Sequence, residues 1–159
     1  MDKAALLQVI VGQLEAELAV LVAAAHASKD QATDAESKPD GKYDMAGQSA
    51  AYLAAGQAKL ATELAEAISA YRLLPLAPAK PGAAVGMGDV VTLEGPERRT
   101  VYFLGPARGG IEVEWSGTSV TVITAVSPLG RQLLGRRPGE TVTLPGPRQG
   151  HPPTIVKIE

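Results

Sequence analysis

The distribution of proline divides this chain before any other feature is considered. Of its 12 prolines, Pro39 alone precedes Leu74. Proline lacks an amide donor and disfavours helix in the residue before it. Long helices are therefore open to the first half and closed to most of the second. Glycine follows the same division, with 4 of 17 residues before Leu74. Alanine dominates the first half, whereas Gly, Pro, Val and Thr dominate the second. Charge divides there too. Residues 1–76 carry 6 basic and 10 acidic side chains, net -4; residues 77–159 carry 9 and 7, net +2; together they give the chain's -2. The run Pro75-Leu76-Ala77-Pro78-Ala79-Lys80-Pro81-Gly82 reads as a linker over 75–82, between an N-terminal part, 1–74, and a C-terminal part, 83–159.

Within the first part, Leu7, Ile10, Leu14, Leu18, Leu21 and Ala25 follow one another at steps of three and four, the stripe of an amphipathic helix. A second stripe runs through Leu53, Leu60, Leu64, Ile68 (or Ala67) and Tyr71. Alanine and leucine are the best helix formers, so propensity agrees with pattern. Each helix is expected to run about 28 residues, roughly 40 Å. The polar segment from Thr33 to Asp44 holds Pro39 and Gly41 and joins the two as an antiparallel hairpin, or two-stranded coiled coil. So long a hairpin buries little of itself, and its tip is expected to stand away from the rest of the protein.

The second part reads as strands: Val90–Leu93, Arg99–Leu104, Ile111–Trp115, Val120–Thr124, Val142–Leu144 and Ile155–Ile158. Ser127 before Pro128 is an N-cap followed by proline at the first helical position, and Gly135 stops the short helix that follows. The fold expected is α+β: a helical hairpin, then a small antiparallel sheet of five or six strands carrying one short helix.

Composition excludes several kinds of function. The near-neutral charge argues against a protein held mainly by nucleic-acid phosphates or by a polybasic membrane contact. Without cysteine there is no disulfide framework, thiolate zinc site or cysteine nucleophile. Two histidines, His26 and His151, are too few for a histidine-rich metal site and supply a Ser-His-Asp triad poorly. The start Met1-Asp2-Lys3 lacks the pattern of a signal peptide, and no unbroken run of 18 apolar residues occurs. A cytoplasmic protein with no membrane partner is expected.

The segment Ser127-Pro128-Leu129-Gly130-Arg131-Gln132-Leu133-Leu134-Gly135-Arg136-Arg137-Pro138-Gly139-Glu140 resembles the Gre family of bacterial transcript-cleavage factors. Its pattern there is Ser-Pro-(Ile/Leu)-(Ala/Gly)-Arg-x-Leu-(Ile/Leu)-Gly-Lys-x-x-Gly-Asp, with Arg136 and Glu140 as same-charge replacements. Tyr102-Phe103-Leu104-Gly105-Pro106 followed by Gly109-Gly110 is similar as well, and so is the order of parts. Lys42-Tyr43-Asp44, at the entry to the second helix, is a looser likeness. The resemblance implies an FKBP-like C-terminal domain that docks at the rim of the RNA polymerase secondary channel through Ser127 and Pro128. It also implies a hairpin that enters the channel. Two tip carboxylates would help hold a magnesium ion shared with the polymerase, which then cleaves backtracked RNA near its 3′ end. The protein would not itself be an enzyme and would have no cofactor of its own.

Aligned on Tyr43, the first tip acid falls at Glu36 and the second at Pro39, which cannot bind metal; Asp40 follows it. Glu36 and Asp40 are thus the expected catalytic and magnesium-binding pair, with Asp34 in reserve. A cluster of acids and lysines, including Lys38 and Lys42, would equally serve to solvate a turn. The displaced second acid keeps open a non-cleaving secondary-channel regulator or inhibitor. Arg131, Arg136, Arg137 and Arg148 form either a basic face or ordinary solvated charges. Trp115 and Tyr102 are expected in the sheet core. Prolyl isomerisation, which needs an aromatic-lined pocket, has only Tyr102, Phe103 and Trp115 to draw on in this half.

Overall fold

The computed structural model describes residues 2–36, 45–78, 80, 82–96, 98–143 and 151–159. Two helices, α1 (Lys3–Glu36) and α2 (Met45–Arg72), form an N-terminal helical hairpin. Five strands follow, β1 (Val90–Glu94), β2 (Arg99–Gly105), β3 (Glu112–Trp115), β4 (Thr118–Thr124) and β5 (Thr154–Ile158), with the short helix α3 (Pro128–Leu133) between the last two. Helix α1 has 34 residues, longer than expected, because it continues through Thr33–Glu36, which the sequence assigns to the turn. Helix α2 has the expected 28.

The strands form one sheet in the order β3-β4-β2-β1-β5. Three of the four pairings are antiparallel; β2 and β4 run parallel, from Val101 opposite Val120 to Gly105 opposite Thr124. The sheet is therefore mixed rather than purely antiparallel. Strand β3 takes the edge, and β4 returns between it and β2. The strand expected at Val142–Leu144 reduces, over the described residues, to a bridge between Thr141 and Thr154, with Val142 N–H donating to the Pro153 carbonyl. Leu144 lies outside the described residues.

The chain divides into two compact units, and the division runs through the helices instead of the proline-rich segment. One unit holds residues 1–11 and 70–159, the other 12–69. In the first unit, side chains alternate across the sheet. Val91, Leu93, Leu104 and Ile123 meet Leu129 and Leu133 of α3, together with Val85, Val142 and Ile155. Their neighbours Val90, Phe103, Val120 and Val122, which point to the opposite face, are also buried. That face receives Tyr71, the last full turn of α2. Tyr71 is wholly buried, and its hydroxyl donates to the Ala107 carbonyl at 2.7 Å. Gly105 makes room for it, since a Cβ there would lie 2.5 Å from the Tyr71 hydroxyl and 3.0 Å from Val122 Cγ1. The start of α1 is tied to the same unit. Lys3 Nζ pairs with Asp89 Oδ1 at 3.0 Å, both groups largely buried, while Asp89 Oδ2 accepts the Gly86 amide. Leu74, Pro75 and Leu76 lie against Gly88, so the beginning of the proline-rich segment is packed.

In the second unit the expected α1 stripe holds at Leu14, which is fully buried, and continues half-buried through Leu18, Leu21 and Ala25. On α2, Leu64, Ala67 and Ile68 are buried, but Leu53 and Leu60 are 55% and 49% exposed. The covered face there passes through Ala54, Gln57 and Ala61, one residue away from the leucines. An alanine-rich helix is apolar on nearly every side, so its leucines do not mark a single face. The stretch Lys3–Ala27 is long and apolar enough to cross a membrane by length and composition. Gln8, Gln13, Glu15 and Glu17 interrupt its apolar run. Its Lys3, Leu6, Ile10 and Leu14 side chains are buried within the protein.

Burial pushes the Tyr71 phenol above its ordinary 10.0, because the low-dielectric surroundings disfavour phenolate. A raised folded pKa means that the stability Tyr71 contributes is complete below pH 10 and is lost as pH rises above it. Tyr71→Phe should lose about 1 kcal/mol at neutral pH by urea unfolding and show a shallower decline above pH 10 than the wild type. Gly105→Ala should lose roughly 1–3 kcal/mol through overpacking against Tyr71.

Candidate functional site

Strand β4 ends at Thr124, and the chain turns through Ala125 and Val126 into α3. Ser127 caps that helix: its extended backbone (φ -68, ψ 155) lets Oγ accept the Gly130 amide at 3.0 Å. The same hydroxyl donates to the Thr124 carbonyl at 2.8 Å, and the Ser127 amide donates to that carbonyl at 3.0 Å. One carbonyl thus gathers the whole turn. Gly130 is required by it, since a Cβ there would lie 1.9 Å from Thr124 O. Pro128, at the first helical position, is exposed, and Leu129 and Leu133 anchor the other side of the helix in the core.

The rest of the motif is also absorbed by folding. Gly135 takes a left-handed φ of 81 and donates its amide to Val85 O at 2.9 Å, pinning the helix exit. Glu140 accepts the Arg137 amide through Oε2 and the Arg136 guanidinium through Oε1 at 2.9 Å. These two contacts, the backbone amide first, hold its carboxyl below the usual range. Arg137 donates to the Gly82 carbonyl. Gln132 bridges to Thr143 in both directions. Of the four arginines considered as a basic face, Arg136 and Arg137 are thus engaged within the chain, Arg131 is exposed, and Arg148 lies outside the described residues. What the turn presents outward is Val126, 78% exposed, then Pro128 and Arg131. The sequence reading put the contact at Ser127 and Pro128; the structure leaves Pro128 exposed and commits the Ser127 hydroxyl to the turn.

At the far end of the hairpin, Glu36 is the last residue of α1, and its side chain is not among those described. Asp40 lies outside the described residues, as do Lys38, Pro39, Lys42 and Tyr43. Among the described residues, no group of three or more His, Cys, Asp or Glu could hold a metal ion. His26 and His151 are exposed, and Tyr102 and Trp115 are half-buried, Tyr102 against the α3-side core.

A helical hairpin followed by a five-stranded mixed sheet that carries one short capped helix defines a two-part protein. Residues 80–159 match the family model "Transcription elongation factor, GreA/GreB, C-term". That span is half of the chain, and the chain belongs to the GreA/GreB family of transcription elongation factors. Among solved structures it is similar to the GreA factor homolog 1 (Gfh1) of Thermus thermophilus, at 20% identity over 94% of each chain with a TM-score of 0.38. It is similar also to Gfh1 of Thermus aquaticus, at 21% identity over 92% of each chain with a TM-score of 0.39. A search of curated proteins returns no match.

Ser127→Ala should cost about 1 kcal/mol, the worth of an N-cap. Gly130→Ala should cost more, at least about 2 kcal/mol, because the backbone of Thr124 must give way. Urea unfolding of the two variants beside the wild type tests that order.

Proposed function

We propose that this chain acts in the cytoplasm as a secondary-channel factor of RNA polymerase that promotes cleavage of backtracked nascent RNA by the polymerase active site. The observation that carries the reading is the family domain over 80–159, joined to a long hairpin whose turn region concentrates acids. In this reading the segment 83–159 docks at the channel rim through the Ser127-Pro128 turn. The hairpin, residues 1–74, enters the channel, and the 75–82 segment connects the two. Glu36 and Asp40 reach the polymerase magnesium near the RNA 3′ end. Their chemistry suits that task, since magnesium takes oxygen ligands and accepts one or two carboxylates beside phosphates. Magnesium held there supplies positive charge that favours ionised water and steadies the leaving oxygen. The carboxylates orient and retain; the reaction belongs to the polymerase, and the protein alone is not an enzyme.

Pro39 favours a second reading. It stands at the position of the second tip acid and has no metal-binding group. Without a paired carboxylate the same docking would block or regulate the channel without cleavage.

Adding the purified chain to a stalled, backtracked elongation complex with end-labelled RNA separates the two. Shortening of the RNA supports the cleavage factor. Glu36→Gln and Asp40→Asn should then each slow cleavage at least about tenfold, roughly 1.4 kcal/mol of transition-state stabilisation, while polymerase binding survives. Binding without shortening replaces it with the non-cleaving regulator.

A further inference from the structure

Both hairpin helices are fastened at their sheet end and carry a weak point just beyond it. In α1, Leu6, Ile10 and Val11 are buried, and Lys3 is paired with Asp89. In α2, Tyr71 is seated at Gly105 and its hydroxyl is bonded to Ala107. The division between the two compact units crosses α1 between Val11 and Gly12, and α2 between Ser69 and Ala70.

Each helix has a weakening residue at that division. Gly12 is the one glycine in α1, a helix rich in alanine and leucine. Glycine weakens a helix interior because its backbone has more freedom to lose. An isolated helical glycine calls for a packing or a functional reason. Gly12 is exposed, and beyond its own helix backbone a Cβ there would meet nothing within 4 Å. Packing therefore does not require it; alanine would fit and would hold the helix better. In α2, the Ser69 hydroxyl donates to the Ala65 carbonyl at 3.0 Å. Such a bond competes with the helical ladder for the carbonyl and often bends the helix.

We propose that Gly12 and Ser69 form a hinge at which the hairpin bends while its base stays fixed to the sheet. The proline-rich segment is not the joint, since Leu74, Pro75 and Leu76 are packed at Gly88. Movement closer to the sheet is resisted by the Lys3–Asp89 pair and by Tyr71, because breaking either contact strands a largely buried polar group. Glu36 lies about 36 Å along α1 from Gly12, so a bend of about 10° there moves the helix end about 6 Å. The far end of the hairpin is thus aimed without unfolding either unit. The hinge does not depend on what the hairpin enters, and it stands apart from the polymerase reading.

The chain has no cysteine, so introduced pairs can carry spin labels, and pulsed dipolar spectroscopy on the full chain reads the spread of distances between them. Ser119→Cys with Ala27→Cys spans the hinge. Ser119→Cys with Gln8→Cys stays on the sheet side of it. All of these positions are exposed. The spanning pair should show the broader spread. Gly12→Ala should narrow that spread about twofold and leave the base pair unchanged. It should also raise the urea midpoint, because alanine favours helix. Ser69→Ala should narrow the spread further. Gly12→Ala combined with Ala16→Gly returns a glycine one turn along α1 and should restore it. Circular dichroism confirms that the helices persist in each variant. Equal spreads for the two pairs in the otherwise unaltered chain would overturn the hinge. So would a spanning spread that neither Gly12→Ala nor Ser69→Ala narrows.

Discussion

Two-sided burial of a very small sheet is the constraint on which this protein depends. Four consecutive residues of β1, from Val90 to Leu93, are buried, so β1 has no solvent face along that stretch. A strand of this kind requires cover on both sides. Helix α3 supplies one cover through Leu129 and Leu133. On the other side Tyr71 of α2 is seated at Gly105 and Val122, and the Lys3–Asp89 pair ties α1 to the start of β1. Burying a large apolar side chain is worth about 1.5–3 kcal/mol. A sheet of five short strands has few of them to spare, and the ends of the hairpin helices belong to its core for that reason.

The same economy explains what the segment from Ser127 to Glu140 is for. Most of its residues answer to folding: Ser127 caps, Gly130 clears Thr124, Leu129 and Leu133 fill the core, Gly135 and Gly139 take left-handed backbone, and Glu140 secures the Arg136-Arg137 corner. A motif of this sort identifies a family because it specifies a turn. Its outward residues at the start of the helix are Pro128 and Arg131, with Val126 exposed just ahead of them.

Local chemistry made some of this legible in the sequence. The Ser127-Pro128 helix start, the Gly135 stop and the buried Leu14 follow from capping and helical period. The α2 face did not, because Ala54, Gln57 and Ala61 compete with Leu53 and Leu60 on a helix that is apolar nearly all round. The parallel β2–β4 pairing was equally hidden, since strand order depends on contacts remote in sequence, and alternation says only which residues share a face. Prolines at 75 and 78 signalled a break in secondary structure correctly but gave no sign that Leu74, Pro75 and Leu76 pack at Gly88. The acids assigned to the tip were found by alignment with a family pattern. Asp40 and the Glu36 side chain fall outside the described structure, and their role rests on that likeness and on the affinity of carboxylates for magnesium.

The absence of cysteine from the chain permits a direct test of where the hairpin end goes. A single cysteine introduced as Glu36→Cys can carry an iron chelate that cuts nearby backbone when hydroxyl radicals are generated. With the labelled protein bound to an elongation complex, cuts at the RNA 3′ end and in the polymerase segments around its catalytic magnesium are the expected result. Cuts confined to the outer surface of the polymerase, or none above those from label placed at exposed Val156 on β5, would contradict entry into the channel.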